Sequence, residues 1–240
     1  MTDREWLPAL LSVIAGMVDV IGFLSFGLFT AHVTGNLVVI AALLVRGGVP
    51  NQAQILAVPV FIFSVAAVWS IAEAGGWRGP ALKRPLLALQ SLLLCCVLFV
   101  SLELRPAVNQ HGLTAAIPAM LAVSAMASQF ALLRLAMPDA PSTAVMTGNL
   151  TNATLSLLDT LVHGRALTTD AGARLRRAAV AIAGFFAGCV AGAVAVSALG
   201  HWSWLLPAGF AALAAAKCDR PLHSSSADRT RAVAHDAPSI

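Results

Sequence analysis

His32-Val33-Thr34-Gly35-Asn36 lies inside an uncharged apolar segment long enough to enter a bilayer, and Thr-Gly-Asn returns at Thr147-Gly148-Asn149 in a second such segment. Hydrocarbon offers no hydrogen bonds, so a segment buried in lipid is normally continuous apolar helix. A polar, helix-weakening step at two places implies two related halves, each carrying an interruption of a kind common in transporters. The triplets lie 147 − 34 = 113 positions apart, and each falls in the second of four apolar segments of its half.

Those segments are Trp6 to Phe26, Leu28 to Val45, Ile55 to Ala72, Leu86 to Leu102, Leu113 to Met137, Ser142 to Val162, Ala178 to Leu199 and the shorter Trp202 to Ala216. None alternates strictly as a barrel strand does, so all are read as helices. The chain is 58% hydrophobic and 11% charged, with a mean hydropathy of +0.82. A soluble domain is about 45–50% apolar and 25% charged. The fold class expected is therefore all-α: a polytopic transmembrane helical bundle forming one membrane domain over 1–216, with repeat one at about 6–104 and repeat two at about 113–216. Residues 217–240 turn polar, carry Ser224-Ser225-Ser226 and are read as a disordered tail.

Lys and Arg cluster in a few loops and the tail, which reads as topology information and excludes a nucleic-acid surface. With eight spans and a cytoplasmic N-terminus, 11 of the 15 basic residues lie inside; Arg78, Lys83, Arg84 and Arg134 lie outside. If the two Thr-Gly-Asn segments instead dip in and return, six segments cross and only Arg46 and Arg105 face outward. The positive-inside bias favours the second arrangement, six full spans plus two broken or re-entrant segments, with N-terminus and tail cytoplasmic. Eight spans is the alternative. Three crossings per half would invert the halves relative to each other.

Asp19 is two-thirds of the way along the first segment, and a carboxylate there costs about 2.5–3.5 kcal/mol on insertion scales. It is expected to face the bundle interior as a proton- or cation-responsive group; a hydrogen-bonded structural carboxylate is the plainer reading. At the comparable place in the second half stand Ser128 and Gln129, neutral polar groups replacing the acid. Gly35 weakens the helix, while Thr34 and Asn36 satisfy freed backbone groups. A helix restarting at Asn36 would aim free N–H groups into the membrane, and Thr147, Gly148 and Asn149 could do the same from the other side. The plainer reading is interhelical packing. His32 adds an imidazole near the first triplet, where the second half has Val145.

Ser142 and Thr143 are read as ordinary N-terminal caps. Gly184, Gly188 and Gly192 form a small-residue face for close helix packing, within the chain or between copies in a homo-oligomer. Trp202 and Trp204 read as interfacial anchors, as do Trp6 and Trp77. Asp159, His163 and Arg165 read as a polar boundary. Cys95, Cys96, Cys189 and Cys218 form no C-x-x-C pair, and no Walker loop, G-x-S-x-G elbow or H-E-x-x-H pair occurs. Neither metal, cofactor nor enzymatic activity is expected.

Gly16-Met17-Val18-Asp19 with Ile21-Gly22-Phe23, Phe29, His32 and Thr34-Gly35-Asn36 resembles the N-terminal signature of the YoaK-like bacterial membrane proteins. Ala125-Met126 with Gln129, Ser142-Thr143 and Thr147-Gly148-Asn149 is similar to that family's internal motif, and the resemblance runs over about residues 8–216. One departure is Ala127-Ser128, where the family has glycine before the glutamine. The resemblance implies an inner-membrane protein and no particular reaction. The expected function, from the repeat and the buried polar groups, is a small secondary transporter or channel-like permease moving a small solute or ion across the bilayer. Asp19, His32, Thr34, Asn36, Gln129, Thr147 and Asn149 would line its pathway. A non-transporting membrane scaffold or assembly factor is the alternative.

Overall fold

Uncharged segments of this length can satisfy their own backbone only as helices, and the chain folds accordingly. The computed structural model describes residues 3–104, 113–143, 146–163 and 169–218, and among these every regular element is helical. The helices are α1 (Asp3–Phe26), α2 (Gly35–Val45), α3 (Gln52–Ala74), α4 (Lys83–Leu104), α5 (Leu113–Ala136), α6 (Met146–His163), α7 (Thr169–Leu199) and α8 (Leu205–Lys217), with 3-10 turns at Gly79–Leu82 and Gly200–Trp204. The predicted polar tail lies, from residue 219, outside the described residues. So do Arg105, Val145 and Arg165, and the side chains of Asp159 and His163.

Helices α1, α3, α4 and α5, and the stretch Gly172–Lys217 that holds α7 and α8, are long and apolar enough to cross a membrane. Helix α2 is not, because its 11 residues rise only about 16 Å against a hydrocarbon core of about 30 Å. The first half of the predicted Leu28 to Val45 segment is instead a loop. Gly27 takes a left-handed φ of +73°, which closes α1 as a glycine C-cap does and turns the chain back toward the bundle.

The excursion ends where it began. Asn51 Nδ2 donates to the Phe26 carbonyl at 3.0 Å, and Gln54 Nε2 donates to the Gly27 carbonyl at 2.8 Å. The same two side chains form a reciprocal cap on α3: Asn51 Oδ1 accepts from the Ala53 N–H and Gln54 Oε1 from the Asn51 N–H. The end of α1 and the start of α3 thus meet at one end of the bundle, and the intervening α2 does not cross it. In the second half, the strap Asp139–Pro141 after α5 shares a cleft with Arg174, Arg177 and Ala178 near the start of α7. Helix α6 is likewise an out-and-back segment.

Packing follows an exchange of the two halves. Helix α1 lies along α7 and α5 along α3; α1 also meets α8 as α5 meets α4; α2 rests on α3 as α6 rests on α7; and the two fourth helices, α4 and α8, pack on each other. The first helix of each half therefore docks on the third helix of the other. At the α1–α7 contact Gly184, Gly188 and Gly192 face Ala9, Val13 and Met17 in register, so these helices run parallel. A Cβ at Gly188 would overlap the Val13 carbonyl, and one at Gly16 would overlap the Phe185 carbonyl. The glycine face is spent inside the chain, leaving it closed to a second copy.

The core is built on the buried α1 residues Leu11, Ile14, Met17, Val18 and Ile21, with Met126 and Leu132 of α5. Trp204 departs from its reading as an interfacial anchor: it is buried and stacks on Phe26 with ring centroids 5.5 Å apart. The indole fills the space at the end of α1, where a ring of that area gains more from burial than from an interface. Trp202 and Trp77 stay exposed.

Candidate functional site

In both Thr-Gly-Asn steps the asparagine fastens the chain back on itself. Asn36 is fully buried and pairs its amide with one backbone unit: Oδ1 accepts from the Phe29 N–H and Nδ2 donates to the Phe29 carbonyl, both at 2.8 Å. The Phe29 ring lies over Gly35, where a Cβ would come within 3.1 Å of it, and stacks on Phe23. Thr34 is exposed and gives no side-chain cap. In the second half Asn149 Nδ2 donates to the Ser142 carbonyl at 2.8 Å, the same reach of seven residues backward. Thr147 is exposed and Gly148 half-buried.

Free N–H groups at the start of α2 do not materialise as an anion site. Gly35, Asn36 and Leu37 donate their N–H groups to the carbonyls of His32, Val33 and Thr34, closing the turn. The converging N–H groups lie earlier, at Thr30, Ala31 and His32, and they are already occupied. All three donate to Asp19 Oδ1, at 2.8, 2.9 and 3.3 Å, while Oδ2 stands 2.8 Å from His32 Nδ1. With the carboxylate ionised, Nδ1 carries the hydrogen of that contact. Thr30 Oγ1 adds a bond to the Val18 carbonyl. The chain supplies its own anion to a backbone nest of the kind that elsewhere binds ligands.

Seven residues separate Asp19 from the end of α1 at Phe26, about 10 Å of helix rise, so the loop must descend into the bundle to reach it. Gln129 also stands seven residues before its helix end, at Ala136, and it too binds the threonine of the following loop. Its Nε2 donates to Thr143 Oγ1 and to the Leu11 carbonyl, both at 3.0 Å. Gln129 is thus the counterpart of Asp19, as its place in the sequence suggests. Thr143 is a buried acceptor in this cluster. The Leu11 bond joins the last third of α5 to the first half of α1, so these helices run in opposite directions.

The structure gathers Asp19, His32, Gly35 and Asn36 at one place and Gln129, Gly148 and Asn149 at another. Along α1 the two meet it eight residues apart, at Asp19 and Leu11, about 12 Å. Helix α2 rests on α3 and α6 on α7. His32 closes the first cluster against α7, its ring edge-on to Phe185 at 5.1 Å, and its side chain is 29% exposed.

Sequence reasoning passed over Gln90, Asn51, Gln54 and Thr30. Gln90 is fully buried on α4 and donates Nε2 to Gln129 Oε1 at 2.7 Å, while its own Oε1 has no hydrogen-bond partner among the described residues. An amide side chain, the one such group in the Leu86 to Leu102 run, is a signal that could have found it. Asn51 and Gln54, three apart before an apolar run, have the spacing of a capping box. No group of His, Cys, Asp or Glu able to hold a metal occurs among the described residues.

No curated protein and no solved structure matches the chain. A family model does match, over residues 7–216, nearly the same bounds as the signature residues. Its span takes in both excursions, both buried clusters and all eight helices but the first turn of α1 and the last residue of α8: the chain is a member of DUF1275, a family described as a protein of unknown function.

Proposed function

We propose that this membrane protein is a small secondary transporter or channel-like permease of the bacterial inner membrane, with both termini cytoplasmic and the α2 and α6 segments entering from opposite faces. The observation that carries it is the pair of loop-broken excursions in oppositely directed halves, each descending to a buried polar group on the first helix of its own half. Interrupted helices related by inversion place solute and ion sites at the interface between repeats.

In this reading the Asp19–His32 pair is the proton- or cation-responsive element, because the imidazole is partly exposed and the carboxylate behind it is not. Protons would exchange through His32. The unpartnered Gln90 Oε1 beside Gln129 offers a buried acceptor to a small solute or ion. Leaving it unmade costs about 1–3 kcal/mol, a penalty that a donor-bearing solute would relieve.

Proteoliposomes holding a pH dye and a panel of small neutral, cationic and anionic solutes test this. The wild type should carry at least one solute with pH-dependent flux, and Asp19→Asn should abolish or uncouple it while the protein stays folded. Wild-type vesicles no leakier than empty ones across the panel would reject transport.

One observation favours a second reading, a non-transporting scaffold. Asp19 accepts three backbone N–H groups and faces an imidazole, leaving little capacity unused. A carboxylate held there purely to fasten the loop predicts that Asp19→Asn lowers stability and alters no flux.

A further inference from the structure

The strap after α5, one face of α6 and the first part of α7 enclose an open cleft of about 660 Å³. That volume falls within the roughly 300–1,000 Å³ of small-molecule sites. Its polar lining is Asp139, Asn149, Asn152, Ser156, Arg174 and Arg177. On α6 the residues Asn149, Asn152 and Ser156 are spaced i, i+3 and i+7, which aligns them along one face. Arg174 and Arg177, three apart on α7, share a face opposite them. Among the described residues neither guanidinium has a carboxylate within ion-pair distance. Among the described lining residues Asp139 sets one negative charge against two positive, so that lining carries a net positive charge.

We propose that this cleft binds a phosphate-type oxyanion, carried either on an anionic phospholipid headgroup or on a free phosphate. Paired guanidinium forks match the oxygens of a phosphate with parallel, charge-assisted bonds that a lone ammonium cannot reproduce. The exposed Asn152 amide adds a neutral donor for a remaining oxygen, while the Asn149 amide stays committed to the Ser142 carbonyl. Ala140, in the wall of this cleft, also borders an apolar groove lined by Phe61, Val65, Trp69 and Leu133. An acyl chain beside the strap would find such a surface. Basic pockets between membrane helices near the cytoplasmic face are known headgroup sites. This assignment is independent of the transport reading, because a bound headgroup serves a scaffold equally well.

Thermal unfolding of the full chain in a neutral detergent, with short-chain phosphatidylglycerol, short-chain phosphatidylcholine or inorganic phosphate added, tests it. Phosphatidylglycerol should raise the unfolding temperature, and phosphatidylcholine, whose net charge is zero, should raise it far less. Arg174→Gln with Arg177→Gln should weaken the apparent affinity at least about tenfold. Asp139→Asn, which removes the opposing charge, should strengthen it. A matching rise with inorganic phosphate assigns a free oxyanion; a rise with phosphatidylglycerol alone assigns a lipid. Should the double arginine variant fail to fold, Asn152→Trp fills the cleft from an exposed position and must also abolish the response. No rise with either anionic probe, or a rise unchanged in these variants, overturns the assignment.

Discussion

Asp19 and His32 stand 13 positions apart in the chain, yet Oδ2 and Nδ1 lie 2.8 Å apart inside the bundle. The contact exists because the Gly27–Thr34 loop dips to the level of Asp19 and offers it three N–H groups. Asp19→Ala would leave those donors without a partner and should cost about 3–5 kcal/mol. Asp19→Asn keeps an acceptor oxygen and should cost about 1–3 kcal/mol. Denaturant unfolding in detergent checks the order: wild type above Asp19→Asn above Asp19→Ala. Equal stability of all three would show that the loop does not depend on this carboxylate.

Asn36 and Asn149 should not be equal. Removing the Asn36 amide orphans both polar groups of Phe29, whereas Asn149 serves the Ser142 carbonyl from a half-buried position. Asn36→Ala is expected to lose about 2–3 kcal/mol and Asn149→Ala about 1 kcal/mol. The same unfolding assay reads both, and a larger loss at Asn149 would contradict the geometry.

Gly188→Ala should be the most damaging alanine on α7. Its new methyl would overlap the Val13 carbonyl, whereas at Gly184 the nearest backbone oxygen, on Ala9, stands at 3.1 Å and at Gly192 that of Met17 at 3.0 Å. Gly16→Ala meets the same obstacle from α1. Forcing a packed contact apart costs about 1–3 kcal/mol or more. Lowered unfolding temperatures in the order Gly188 and Gly16 first, then Gly192 and Gly184, are the expected result.

Arg46→Cys and Arg78→Cys, in a chain whose four native cysteines are replaced, should be labelled by an impermeant thiol reagent from opposite faces. Arg46 is expected at the periplasmic face and Arg78 at the cytoplasmic face. The 11-residue α2 and the Asn51–Phe26 bond require Arg46 to stay at the end where α1 finishes. Reversed sidedness, with Arg46→Cys labelled from the cytoplasm and Arg78→Cys from the periplasm, would remove the returning path.

Helix positions were legible in the sequence because lipid-scale apolar runs admit one structure, and the repeat was legible because its triplet is spelled identically twice. The parity of Asp19 and Gln129 could also be read from position. What stayed hidden were partners. Asn36 reaches back to Phe29 and Asp19 forward to Thr30, and backbone groups acting as partners leave no mark on residue identity. The threonines that fasten the two clusters, Thr30 and Thr143, were hidden for the same reason, whereas Thr34 and Thr147 are exposed. Arg174 and Arg177 were read only as topology signals, since opposing faces of α6 and α7 meet only in three dimensions.

Because α1 finds its closest partner in α7, roughly 170 residues downstream, a growing chain releases its first helix into the bilayer long before the surface it fits has been synthesised. Until then the notched side of α1 around Gly16 is left facing lipid or an insertion chaperone. A nascent polypeptide stopped after Leu104 should therefore be inserted yet remain protease-sensitive, and gain resistance only once Leu199 has left the ribosome.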